Sequence, residues 1–403
     1  MFKKAMYLIL LTLSVMIIFN LTSLNIPSDQ SRYSQFHIYL SDVENRYDLA
    51  RYEQNNIGMG MMSADNDISL LLDVQPAFEL IISEMEQAEN NINIEVYIIH
   101  DDQTGKRFKD ILIKKARQGV EVRLLYDALG SGLTSKSYFS DLRKNGVKVA
   151  EYNPLLSGFL HGRMFNRLHR KMLIIDGKRA FIEGDNIGDE YLGKNKNIGF
   201  WKDTSIAFRG NAVLSIQQIF LSDWLQSSGE KIVNEKFYPK PHTTSNKTVN
   251  VILGGPDSPL TDTSLPYIKL INNAKEKVLI ESPYFIPNAA LLEALYKAAG
   301  RGIDIHLILP NKSDSKIAQM TKPFYINKLL KHGIKVSTYD KGFIHSKIMI
   351  VDNDAASVGT PNLDRLSFSK NYEIMSIIYD KEIINLLQND FLNNLEDSQT
   401  PSL

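Results

Sequence analysis

Two stretches of the chain, 168–186 (LHRKMLIIDGKRAFIEGDN) and 344–362 (IHSKIMIVDNDAASVGTPN), carry the same polar residues at the same spacing. Each reads His-x-Lys-x4-Asp, with an Asn ten residues beyond the Asp. The members are His169, Lys171, Asp176 and Asn186, then His345, Lys347, Asp352 and Asn362. The apolar, partly β-branched runs that follow each Lys read as buried strands. On a strand, residues i and i+2 face one side, so each His and its Lys point together. An ammonium beside the imidazole argues against a cation site and for an anion. The chemistry this suits is that of a phosphate ester, with His as nucleophile or acid and Lys and Asn holding the oxygens. It needs no metal and no other cofactor. The blander alternative, two core strands with one satisfied His each, does not account for the matching Asn residues.

The elements that must position these residues also recur. From about residue 70, helices such as VQPAFELIISEMEQAEN and FKDILIKKARQG lead into the strands INIEVYII and VEVRLLYD, and LRKNG leads into VKVAEYN. In the second half YIKLINNAKEK, LLEALYKAAGRG and INKLLKHG lead into VLIESPYFI, IDIHLILP and IKVSTYD. Gly119, Gly146, Gly302 and Gly333 stand where helix C-caps are needed. Helices alternating with strands predict an α/β fold, with mixed sheets flanked by helices. Two long copies, not many short ones, exclude a solenoid. The expected organisation is an N-terminal membrane anchor at 1–26, a juxtamembrane linker at 27–68 and a first half at 69–226. An inter-domain linker at 227–249, carrying Pro239 and Pro241, and a second half at 250–395 follow.

Lys3 and Lys4 precede an uncharged run from Ala5 to about Leu24, whose dense core, Met6 to Leu21, is at the short end for a membrane span, and no clear cleavage site follows. A retained anchor is the expectation, a cleaved signal peptide its rival. Formal net charge is zero, which gives no general electrostatic grip on nucleic acid. The absence of cysteine excludes disulfides and thiolate chemistry. Trp201, Tyr284 and Phe285 read as core or lipid entrance, and the lysines of 106–115 as a solvated helix face.

At the duplicated motif the chain resembles the phospholipase D superfamily, and within it the bacterial cardiolipin synthases. YIIHDDQTGKRFKDILIKKARQGVEVRLLYDALGS at 97–131, NIGDEYLG at 186–193, SPYFIPN at 282–288 and GTPNLDRLSF at 359–368 carry the resemblance, over roughly 70–395. Glu183 departs from the Gly usual at that place in the family. The resemblance implies two phospholipase D-like halves with pseudo-twofold symmetry and one site between them. It implies His169 as nucleophile and His345 as acid and base, with Asp203 orienting His169 and Glu373 orienting His345. It implies phosphatidylglycerol and anionic membrane lipid as partners rather than nucleic acid, and phosphatidyl transfer that yields cardiolipin. A hydrolase or nuclease using the same site, and a catalytically silent lipid-binding scaffold, are the alternatives.

Overall fold

The computed structural model describes residues 52–54 and 59–401, apart from 197, 257 and 259. The expected anchor at 1–26 lies outside the described residues. Among the described residues no helix is long and apolar enough to cross a membrane.

The described residues build a mixed 16-stranded sheet, flanked by helices, and two short two-stranded pairings. At its centre Met59–Leu71 pairs antiparallel with Lys247–Gly254. Outward on one side come Ser205–Gly210, Arg179–Ile182, Met172–Ile175, Asn91–Val96, Glu121–Asp127 and Lys148–Tyr152. Outward on the other come Glu373–Ile378, Ala355–Gly359, Ile348–Val351, Lys277–Glu281, Asp304–Pro310 and Lys335–Tyr339. In both wings the outermost three of these strands run parallel, joined by the helices Gln103–Arg117 and Lys136–Lys144, or Ala289–Gly300 and Lys316–Leu330. The four glycines do end helices, with φ between 75° and 89°.

The motif strands are buried at every position, as their β-branched composition predicts. Each is antiparallel to the first parallel strand of its wing, with Glu95 opposite Met172 and Glu281 opposite Ile348. The residues just before each motif strand therefore lie at the edge where the parallel strands end. That edge holds the site.

Two expected boundaries are corrected. The sheet starts before residue 69, because 59–68 are part of its central strand. Polar residues disguised that strand: buried Asn66 donates to the Ser63 and Lys247 carbonyls and accepts from the Ala212 N–H, satisfying an irregular stretch of the pairing. The stretch 227–249 is pinned to the core by Ile232, Phe237 and Tyr238, and its last residues already belong to the strand Lys247–Gly254.

The helix Asn211–Ser228 is buried for most of its length, and its residues join strands of both wings in one apolar cluster. Gly229, at φ 76°, ends it in the left-handed conformation.

Candidate active site

His169 is held by the opposite wing. Its main-chain N–H donates to the Tyr372 carbonyl at 2.9 Å, and its Nδ1 donates to Glu373 Oε2 at 2.9 Å. His345 is held the same way from the other side. Its N–H donates to the Lys202 carbonyl at 2.6 Å and its Nδ1 to Asp203 Oδ2 at 2.6 Å. The pairing of acids is thus the reverse of the one implied by resemblance: Glu373 serves His169 and Asp203 serves His345. The physical reason is the strand contact that seats each His. Leu168 bridges to Tyr372, and Ile344 pairs with Lys202 where Gly342–Ile344 runs parallel to Phe200–Lys202, so each His arrives beside the acid that follows the paired residue.

Carboxylates on both Nδ1 atoms fix the tautomers and leave Nε2 facing the site, with no hydrogen-bond partner among the described residues. Both imidazoles are buried, at 8 % and 6 % exposure, beside aromatic rings: Tyr97 edge-on to His169, Trp201 tilted against His345. Burial, against the pull of Glu373, lowers the His169 pKa. Burial and the neighbouring Lys347 push His345 down to about 3. Burial would raise Glu373 and Asp203, but their cationic neighbours outweigh it. Glu373 stays below the usual carboxylate range and Asp203 falls to about 2.

Lys171 and Lys347 are both buried beside these groups. The Lys171 Nζ donates to the His169 carbonyl at 2.8 Å, and burial brings its pKa down to about 7. The Lys347 Nζ lies 2.7 Å from His345 Nδ1 and 3.4 Å from Asp203 Oδ2. Asp185, Asp203 and His345 stand near enough to one another to hold a metal ion. The ammonium of Lys347 already supplies positive charge among those atoms, so this donor set does not suit an added cation.

Asp176 and Asp352 do something else. Asp176 accepts from the main-chain N–H groups of Glu89, Asn90 and Asn91 at 2.7 to 2.9 Å. Asp352 accepts from Lys275, Glu276 and Lys277 at 2.8 to 2.9 Å. Each clasps the turn that feeds a strand of its own wing. With a rise of about 3.3 Å per residue, five residues put each Asp roughly 17 Å from the Lys of its motif. Grouped by the motif with the catalytic residues, but expected from their place at the strand ends to hold local structure, they stand apart from the histidines and anchor the motif strand.

Asn186 Oδ1 accepts from the Ile98 N–H at 3.1 Å, and Asn362 presents a buried Oδ1 with no hydrogen-bond partner among the described residues. Several neighbours carried no signal in the spacing. Thr360 donates to Glu373 Oε2 at 2.6 Å. Trp201 Nε1 donates to Asp185 at 2.8 Å, and Asp185 is pushed well above its usual range by burial and by Asp203. Arg170 pairs with Asp223 and reaches the Glu373 carbonyl. Lys202 pairs with Asp390 at 2.8 Å. Aligning the two motifs could have found Thr360, because it matches Gly184 in the first copy. A side chain at Gly184 would collide with Asp203 Oδ1, 2.1 Å from its Cβ position. Glu183 sits at the edge of the cluster, where burial raises it to about 7 against the influence of Lys171.

A family described as cardiolipin synthase, PLD-like domain, matches residues 81–224 and 267–395. A cardiolipin synthase of Listeria welshimeri is 38 % identical over 376 residues, 92 % of this chain and 78 % of that protein. One from Geobacillus kaustophilus is 40 % identical over 340 residues, covering 84 % and 68 %. In structure, the chain superposes on a phosphatidylserine synthase of Haemophilus influenzae with a TM-score of 0.65, at 15 % identity, over 91 % of this chain and 92 % of that one. That likeness concerns the fold alone. With two histidines, two lysines and two crossed acids gathered at one sheet edge, the chain belongs to the cardiolipin synthase family of phospholipase D-like proteins.

Proposed function

We propose that this chain is a phosphatidyltransferase that moves a phosphatidyl group from one phosphatidylglycerol to the glycerol hydroxyl of another, yielding cardiolipin and glycerol. The observation that carries the reading is the pair of buried imidazoles, each tautomer fixed at Nδ1 by a carboxylate from the other wing, with two ammoniums beside them. The wings are read as two halves related by a pseudo-twofold axis through the central strand pair, which the matching strand orders support. Relatives 37 to 40 % identical that are named cardiolipin synthases supply the substrate class.

In this reading His169 Nε2 attacks the phosphorus, and the bond from phosphorus to the glycerol oxygen breaks as His345 gives that oxygen a proton. The second phosphatidylglycerol then loses its hydroxyl proton to His345 and attacks the same phosphorus, and the P–N bond breaks. His345 takes the acid–base role that the family resemblance gives it; Asp203 holds its Nδ1, with the Asp185 carboxyl 4.0 Å away, whereas Glu373 holds that of His169. Substrate is needed for that role: an anionic phosphodiester among the ammoniums offsets Lys347 and allows His345 to hold a proton. Lys171, Lys347, Asn186 and Asn362 orient the phosphate oxygens.

Incubating the full chain with labelled phosphatidylglycerol, without added metal and with a His169→Ala control, tests this. Cardiolipin and glycerol appearing together, and lost in the control, are expected. Phosphatidic acid with glycerol would make the protein a hydrolase instead.

A further inference from the structure

The route from the edge strand to the catalytic His differs between the wings. From Tyr339 the chain reaches His345 through the short segment 340–344, which is mostly strand. From Tyr152 to His169 it makes a longer excursion that contains the helix Leu155–Leu160. This helix buries only Gly158. Leu156, Phe159 and Leu160 are 73 %, 68 % and 70 % exposed. It is stapled through polar groups instead: Asn153 Nδ2 donates to the Arg163 and Asn166 carbonyls, and Arg167 donates back to the Asn153 carbonyl. A rigid base therefore carries apolar side chains outward.

The other wing has a counterpart. The helix Lys316–Leu330 packs Ala318, Tyr325, Ile326 and Leu329 into the core. A second apolar stripe at Ile317, Met320 and Phe324, spaced three and four residues apart, is 56 %, 81 % and 56 % exposed. Both helices start where parallel strands end, Lys148–Tyr152 and Asp304–Pro310, which is the edge that carries His169 and His345. Charge favours an anionic partner there. From 152 to 175 the chain has no carboxylate, and from 311 to 332 it has five lysines and one, Asp314.

We infer that these two helices form a docking face that seats the catalytic edge on an anionic phospholipid bilayer. The inference deepens the proposed function and rests on its lipid substrate. Isolated surface apolar residues are ordinary, but two stripes at the mouth of one site, one of them on a lysine-rich helix, have the make-up of an interfacial binding surface. None of the described helices can span a bilayer, so the contact lies in the interface. Its value is geometric: a phosphodiester at the headgroup level reaches Nε2 without leaving the membrane.

The test uses the full chain and vesicles of equal parts phosphatidylglycerol and phosphatidylcholine. Phe159→Trp and Met320→Trp each add a reporter to the two buried native tryptophans, Trp201 and Trp224. On vesicle binding, both added residues are expected to shift to the blue and to be quenched by brominated acyl chains, more weakly with phosphatidylcholine alone. A Leu156→Ser, Phe159→Ser, Leu160→Ser variant is expected to lose about tenfold or more of vesicle turnover. It should keep wild-type turnover on short-chain, monomeric phosphatidylglycerol. Vesicle binding with both reporters unchanged would overturn the inference, as would equal loss on both substrates. Failure of the wild-type chain on both substrates would overturn the proposed function, while the reporters would still decide the docking face.

Discussion

The two halves of the site are built from the same motif and finished differently. Around His169 the acid is a glutamate that also accepts from Thr360, and Lys171, like Lys347 in its own motif, donates to the carbonyl of its His. Around His345 the acid is the shorter aspartate, Gly184 makes room for it, and Lys347 lies against the imidazole itself. Asp185 adds a carboxyl group on that side, pushed well above its usual range by burial and by Asp203, where the matching position is Pro361. Duplication supplied two equal histidines, and their neighbours make them unequal. Because each His takes both its main-chain and its Nδ1 partner from the opposite wing, neither wing alone can make an oriented imidazole.

The sharpest way to break this asymmetry is to remove each His. Alanine at either position is expected to lower kcat by about 10^4-fold, in the range found when a member of a catalytic unit is lost. A substrate with a nitrophenyl leaving group, which needs no acid, should separate the two. His345→Ala should then give a burst and retain label on the protein, and His169→Ala should give neither. Label retained in His169→Ala instead would exchange their roles.

The crossed acids come next. Asp203→Asn and Glu373→Gln are each expected to cost about 10^2- to 10^3-fold in kcat, by leaving a His without its orienting partner. On the nitrophenyl substrate the Asp203→Asn defect in the first step should shrink, and the Glu373→Gln defect should persist. The opposite pattern would mean that each acid serves the His of its own wing.

A smaller effect separates the lysines by pH. Lys171, lowered to about 7 by burial, loses its positive charge as pH rises through that value in the empty site. KM for the anionic substrate should therefore rise above pH 7, by about threefold to tenfold at pH 8, as the fraction of ammonium falls. Lys171→Gln should have a high KM at every pH and lose the inflection. A wild-type KM that is flat from pH 6 to 8 would contradict this.

The smallest contrast is where the wings should agree. Asp176 and Asp352 have φ of 54° and 53°, a region that Asn tolerates, and each accepts three main-chain N–H groups. Asp176→Asn and Asp352→Asn should each lower stability by about 1 to 3 kcal/mol in urea unfolding, with turnover of the folded protein within about twofold. A large loss of kcat at unchanged stability would return these residues to the chemistry.

The strands and the facing of His and Lys were legible in the sequence because both are local: alternation at i and i+2 and a β-branched run need no partner to be read. Met59–Leu71 escaped because its interior holds buried Asn66, satisfied by distant main-chain groups. The helix Leu155–Leu160 escaped because it is held by Asn153 and Arg167 rather than by an apolar face.

The sequence by itself determined the duplicated motif, the α/β alternation and the kind of chemistry, because residue type and short-range spacing decide these. Only the tertiary structure decided that Glu373 belongs to His169 and Asp203 to His345, and which turn each motif aspartate clasps. Those pairings join residues 204 and 142 positions apart. Which distant strands meet is settled by how the sheet closes over its core, and no local spacing encodes that.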